Sequence, residues 1–356
     1  MNSNYETLLA LTRLGINHRT YLSNQGIDWQ SVKDLAEKQG LSAVVLDGIE
    51  RLPEQQRPPK LFLLEWIGET LQGYEYRYDL YCKAIAELAG FYNSHGYKMM
   101  VLKGYACSID WQKPEHRPCG DIDIWQFGQQ KEADAALAKE KGVEIDSSHH
   151  HHTVFYWLDF MVENHYDFIN VHRHKLNKVI ESHFKELGND DTRCFEICGE
   201  KVYMPSLKLH ALFLLRHTMS HFAIGGISLR QLLDWGFFVE KHTKEIDWDW
   251  LLKEIEQFGM SPLYHIFNAI CVEDLGFDSS IFPTVLFDSF LKERVLNDIL
   301  LSDGQIEEPK SFIKRIVFKY RRWYSSRWKH ELCYKESMWS AFWSGVWSHM
   351  LKPSSI

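Results

Sequence analysis

The chain reads as an α+β protein, with a mixed-sheet core of residues 96–205 between helical lobes of residues 1–95 and 206–356. Three observations predict this. Apolar residues recur at helical spacing before residue 95 and again after 206. Between these stretches, short β-branched and aromatic runs are cut by Gly and Pro. Aromatic residues make up 14% of the 356 residues, including 13 Trp, which suits a packed globular protein of two or three lobes rather than a disordered one.

In the N-terminal lobe, Ser3 or Asn4 can cap a first helix through Arg13, and Asp28 starts a second that Gly40 closes. A third helix, Ala43 to Arg51, stops at Leu52-Pro53. After Pro58-Pro59, apolar residues stand at Leu64, Ile67, Leu71, Tyr74, Tyr78, Tyr81, Ile85 and Leu88 with no proline. One long helix from Leu61 to Ser94 follows. Its tyrosines read as a packing stripe in preference to a base-stacking surface.

The core opens on Met99-Met100-Val101-Leu102, a buried strand broken by Lys103-Gly104, and Tyr105 to Ile109 begins a helix. Gly120 to Trp125 is a second strand, with Asp121 and Asp123 on one face and Ile122 and Ile124 on the other. Two neighbouring carboxylates repel unless a cation stands between them. A hard divalent ion such as Mg²⁺ resolves this by taking carboxylate oxygens and completing its shell with water and phosphate. The plain alternative is a turn with two solvated aspartates.

A helix from Gln129 to Lys141 is closed by Gly142, and Val143-Glu144-Ile145 is a short strand. In the run His149 to His152, strand alternation lets at most two histidines share a metal; a solvated loop is the simpler reading. Thr153–Leu158 and Phe160–Phe168 form a hairpin around Asp159, with Glu163, His165 and Asp167 on one face of its second strand. A third carboxylate on a strand next to the aspartates is what a two-metal transfer site needs. His172 and Arg173 face either phosphate or solvent. Lys175 to Leu187 is helical, and Phe195 to Met204 is a small hairpin turning at Gly199-Glu200.

In the C-terminal lobe, Ser206 caps a helix from Leu207 to His221 that carries His217 and His221 one turn apart, without the glutamate of a zinc-protease motif. Arg230 and Asp234 stand four apart on the next helix, as an ordinary ion pair or as a ligand contact. The tail from Ser311 to Lys352 mixes Lys314, Arg315, Lys319, Arg321, Arg322, Arg327 and Lys329 with aromatics, and Trp339, Trp343 and Trp347 follow at spacing four. Such a tail can hold RNA, an anionic surface or a partner helix. An amphipathic helix packed on the body is the plainer account.

The segments Leu102-Lys103-Gly104 and Arg117-Pro118-Cys119-Gly120-Asp121-Ile122-Asp123 resemble the DNA polymerase β-type nucleotidyltransferase superfamily. They are most similar to a bacterial, poorly characterised branch of it. The resemblance is specific over Tyr97 to His172 and weaker to Val239. It implies a nucleotidyltransferase-like core and a transferase that moves a nucleotidyl group from an NTP, ATP first, with release of pyrophosphate. The acceptor, small molecule or macromolecule, is open. Asp121 and Asp123 would hold two Mg²⁺ ions, or Mn²⁺ in their place. The branch places Glu-x-His at Glu163-Asn164-His165, which makes Glu163 the third metal ligand and Asp167 the reserve. Lys103, Gly104 and Arg117 are the candidate triphosphate contacts, and Gly120 and Arg230 further nucleotide contacts. Gly104 opens room for the backbone, and the helix after it favours anions. One departure stands out: the superfamily usually follows this glycine with serine, and here Tyr105 follows. A nucleotide-binding module with weak turnover is therefore a second reading, and an interaction protein using the basic aromatic tail a third.

Charge and cysteine usage set further bounds. A formal net charge of −8 gives no support to a general nucleic-acid binder, although a local basic patch would allow one. Seven cysteines without paired CxxC motifs suit free thiols in a reducing cytoplasm. No run approaches 18 apolar residues, and MNSNYETLLALTRLG lacks the pattern of a signal peptide.

Overall fold

A computed structural model describes residues 3–18, 20, 22, 26–149, 151–172, 174–283, 286–301, 309, 311–334, 336–337 and 339, apart from the side chains of 312, 313, 316, 319, 322 and 323. His150, Arg173, Trp343 and Trp347 lie outside this set. The chain runs through α1 (Ser3–Gly15), α2 (Trp29–Lys38), α3 (Ser42–Glu50), α4 (Lys60–Thr70), a π segment (Leu71–Tyr76) and α5 (Arg77–Ser94). Then come β1 (Met100–Val101), α6 (Tyr105–Ser108), β2 (Ile122–Trp125), α7 (Gln130–Lys141), β3 (His152–Trp157), β4 (Phe160–His165), α8 (Lys175–Asp190), β5 (Thr192–Ile197) and β6 (Glu200–Pro205). The remainder is helical: α9 (Leu207–Ile224), α10 (Leu229–His242), α11 (Trp248–Gln257), α12 (Ser261–Glu273), α13 (Ser289–Leu301), α14 (Phe312–Ser325) and α15 (Arg327–Cys333). The α+β class predicted from the sequence holds.

Where the sequence outlined three regions, the chain forms two compact units. One is built from Met1–Leu71, Leu214–Lys244 and Trp248–Met338, and the other mainly from Gln72–Phe213 with Glu245–Asp247. The division falls inside the π segment, so the predicted long helix is two α-helical halves that serve different units. In the helical unit, Arg13 donates to the carbonyl of Asp274 (2.7 Å), while Gln39 donates to that of Ile299 (3.0 Å) and accepts from the amide of Leu229 (2.8 Å). These bonds tie the first helices of the chain to α10, α12 and α13. Trp328 lies under the Arg294 guanidinium (4.0 Å) and edge-on to Phe222 (5.7 Å), so this part of the basic aromatic stretch packs on its own unit.

The other unit holds a six-stranded mixed sheet of order β3-β4-β2-β1-β6-β5. β2 is antiparallel to β1 and parallel to β4; β1 is parallel to β6; β3–β4 and β5–β6 are antiparallel hairpins. Ile122, Ile124, Phe160, Val162 and Val202 pack on Tyr81, Ala84, Ile85 and Leu88 of α5 and on Ala133 and Leu137 of α7. On the opposite face, Trp125 lies tilted against Phe168 (4.9 Å), which meets Phe184 of α8 and Phe213 of α9 (6.0 Å each). A Cβ on Gly188 of α8 would stand 2.9 Å from the Trp125 ring, so only glycine admits that approach.

Three local expectations change. The segment Val143–Ile145 is not a strand; Asp146 alone bridges to Val154. β4 ends at His165, short of Phe168, because the amides of Tyr166 and Asp167 both turn to the carbonyl of His151 (3.1 Å each). The helix after Gly104 is a single turn of four residues, too short for the additive dipole invoked for an anion site.

Candidate metal and nucleotide site

Side-chain alternation puts Asp123 on the sheet face opposite Ile122 and Ile124. The parallel register sets Asp123 directly across from Glu163, and Trp125 across from His165. In the hairpin, His152 stands opposite His165 and Val154 opposite Glu163. Three adjacent strands, β2, β4 and the edge strand β3, thus bring Asp123, Glu163, His165 and His152 to one patch of one face.

Buried Asp123 accepts a hydrogen bond from His165 Nε2 (3.0 Å) and an ion pair from Lys103 Nζ (2.7 Å). His165 Nε2 also lies 3.4 Å from Glu163, and its Nδ1 is 3.2 Å from the Asp167 carbonyl. One donor atom each from Asp123, Glu163 and His165 fall within 4.8 Å of one another, a spread that a single ion can gather. Asp121, just before β2, is half-buried.

Lys103 and His165 offset the charge of Asp123 and Glu163. Burial alone would raise the Asp123 carboxyl, but the Lys103 ammonium and the His165 hydrogen bond outweigh it and hold the group well below the usual carboxylate range. Burial would likewise lower Lys103 and His165. The carboxylates reverse both, raising Lys103 and pushing His165 up to about 9. Asp121 moves the other way: burial and then the Asp123 charge raise its carboxyl. Glu163 is lowered against its burial, chiefly by the His165 hydrogen bond. His152 is pushed down to about 4, largely by burial, so its 3.9 Å approach to Glu163 is that of a neutral ring to a carboxylate.

This donor set fits a divalent cation. Asp123 and Glu163 supply hard oxygens, and the positive charge that Lys103 and His165 now bring is what such an ion would supply. Gly104 adopts φ +60°, and the space its missing side chain leaves is filled by the Tyr81 hydroxyl, which would stand 2.0 Å from a Cβ. The same hydroxyl donates to the Asp121 carbonyl (2.8 Å), fixing the chain on entry to β2.

The structure therefore gathers Asp121, Asp123, Glu163 and Lys103, with Gly120 exposed beside them. Arg117 is buried, with its guanidinium turned toward the Pro118 carbonyl (3.2 Å) and Cys119 Sγ (3.9 Å). Asp167 pairs with Lys185 of α8. Arg230, with buried Asp234 one turn on, lies on α10 in the helical unit.

Sequence reasoning did not assign His165 and His152 to the site. A usable signal was present: Leu158 and Asp159 form a two-residue turn between Trp157 and Phe160, and counting back from it pairs His152 with His165.

Residues 25–276 match the family described as "Uncharacterised nucleotidyltransferase". The chain belongs to this family. Among solved structures, one similar fold is an antigenic nucleotidyltransferase-like protein from Paracoccidioides brasiliensis, at 13% identity and a TM-score of 0.35, covering 56% of this chain and 95% of that one. No curated protein sequence matches the chain. No helix among the described residues is long and apolar enough to cross a membrane.

Proposed function

We propose that the protein transfers a nucleotidyl group from an NTP, ATP first, to an acceptor hydroxyl or phosphate, with release of pyrophosphate. One observation carries this reading: Asp123 and Glu163 oppose each other across the parallel β2–β4 register, with Lys103 2.7 Å from Asp123. Asp123 and Glu163, with Asp121 beside them, would hold Mg²⁺ or Mn²⁺. Such an ion would supply charge neutralisation at the α-phosphate. Lys103, whose ammonium stands 2.7 Å from Asp123, is the group on hand for the triphosphate. His165 keeps Asp123 oriented and ionised, and Glu163 shares that support. The acceptor oxygen bonds to the α-phosphorus as the bond to the pyrophosphate oxygen breaks.

The test is pyrophosphate release from each NTP with Mg²⁺, in the parent and in Asp123→Asn. Turnover in the parent and its loss in the variant is the expected result. Equal turnover in both overturns the assignment.

A second reading, nucleotide binding without turnover, is favoured by Gly104-Tyr105 and by the Tyr81 hydroxyl that occupies the space beside Gly104. Under it, ATP with Mg²⁺ raises the melting temperature while no pyrophosphate appears.

A further inference from the structure

His151 and His152 lie against this site, and the proposed reaction gives them no task. His151 and His152 lie next to each other in sequence, with ring centroids 4.4 Å apart. Both face His165, at 5.8 Å and 5.2 Å between centroids. One nitrogen from each of the three falls within 4.8 Å of the others. His152 is 7% exposed and His165 4%. Among the described residues, the buried Nδ1 atoms of His151 and His152 find no hydrogen-bond partner, which is costly for a polar atom unless something binds there. Glu163 is next to the group, 3.9 Å from His152 and 3.4 Å from His165.

We propose that His151, His152 and His165, with Glu163 as the adjoining carboxylate, form a binding site for a borderline divalent transition ion of the Zn²⁺ or Co²⁺ class. Imidazole nitrogens suit such ions, whereas Mg²⁺ takes oxygen ligands and keeps its waters. First-row ions hold imidazole nitrogen at about 2.0–2.1 Å, so the three donors must draw together by about 1 Å, within reach of side-chain rotation. At His165 the ion takes Nε2 in place of the proton now directed at Asp123 and Glu163. That proton leaves to solvent as the metal–nitrogen bond forms. The inference does not rest on nucleotide chemistry, and it places two kinds of metal preference side by side: oxygens at Asp123 and imidazoles at His151 and His152.

The experiment is calorimetric titration of the full chain with Zn²⁺ alone, repeated with Co²⁺ while following its visible ligand-field bands. No nucleotide is present, so the outcome is independent of turnover. One ion should bind per chain, His152→Gln and His165→Gln should each weaken binding at least tenfold, and His149→Gln should leave it within about twofold. Four adjacent histidines can capture an ion unaided, and His165→Gln separates the cases because it leaves the run whole. Parent-like affinity in folded His165→Gln overturns the site, as does an equal loss in His149→Gln, or no saturable binding. If thermal melting shows His165→Gln unfolded, His151→Gln and His152→Gln decide: parent-like affinity in both refutes the proposal.

Discussion

The two faces of β2 and β4 are made by the same alternation and have opposite tasks. Ile122, Ile124 and Val162 point into a dry layer between the sheet, α5 and α7. Asp123, Glu163 and His165, one residue out of phase, point to the face on which α8 and α9 meet the Trp125 end. The first face is held by area removed from water and tolerates change in proportion to volume lost. The second is held by charge pairs in a partly dry setting, where removing one member leaves another uncompensated. Apolar packing and charge pairing are thus separated by one position along a strand.

The largest expected effect lies on the charged face. Asp123→Asn should reduce pyrophosphate release by about 10³-fold or more, equivalent to about 4 kcal/mol of transition-state stabilisation. It should also lower the melting temperature, because Lys103 and His165 lose their common counter-charge. The fold-loss in turnover should greatly exceed any fall in folded fraction; if the two coincide, Asp123 is a structural anion only.

On the apolar face, Ile124→Ala should cost about 3 kcal/mol in denaturant unfolding. Its effect on turnover, once corrected for folded protein, should be small. A large turnover defect at full folding would mean that the two faces are coupled through the strand.

Glu181 of α8 sharpens the contrast, because it is a buried carboxylate with a different kind of partner. It accepts the amides of Phe168 and Ile169 (3.0 Å each), the bonds that shape the chain after β4. Burial pushes its carboxyl up to about 7, and the amides and Lys185 only partly oppose this. The folded chain therefore holds this proton more tightly than the unfolded chain, whose ordinary value is 4.5. The stabilisation is fully present below that value and is lost as pH rises through about 7. Relative to Glu181→Gln, the parent should lose on the order of 3 kcal/mol across this window in unfolding experiments at stepped pH. Parallel pH profiles for parent and variant would remove Glu181 as the cause.

What the sequence disclosed about these faces follows from the range of each interaction. The parity of Asp121, Ile122, Asp123 and Ile124 is legible because a strand has a period of two residues, and the structure keeps it for Ile122, Asp123 and Ile124. The meeting of Asp123 with Glu163 needs more: β2 and β4 are parallel neighbours with β3 between them in sequence, and no local pattern states which strands pair. The helix divided at Leu71 was hidden for a related reason, since an unbroken apolar stripe does not say which body each half packs on. Glu181 was illegible as well, because an acid in a helix looks exposed until the loop whose amides it accepts is folded against it.

The smallest expected effect falls where the two faces meet, at Gly104. Its φ of +60° disfavours any residue with a side chain, and a new Cβ would lie 2.0 Å from the Tyr81 hydroxyl and 3.1 Å from the ring carbon that bears it. Tyr81 belongs to the apolar layer, yet its hydroxyl donates to the carbonyl of Asp121 on the charged side. Gly104→Ala should therefore cost about 2 kcal/mol, part from backbone strain and part from displacing that hydroxyl. Tyr81→Phe alone should cost about 1 kcal/mol for the lost hydrogen bond. In the double variant the hydroxyl that collides with the new methyl is gone, so the two costs should fall short of additivity by about 0.5–1 kcal/mol in a double-mutant cycle. Strict additivity would mean that strain at φ +60° accounts for the whole Gly104 effect, and that the Tyr81 hydroxyl moves aside freely. A cycle with the expected shortfall would identify the Tyr81–Gly104 contact as the point where packing on one face sets the position of Asp121 on the other.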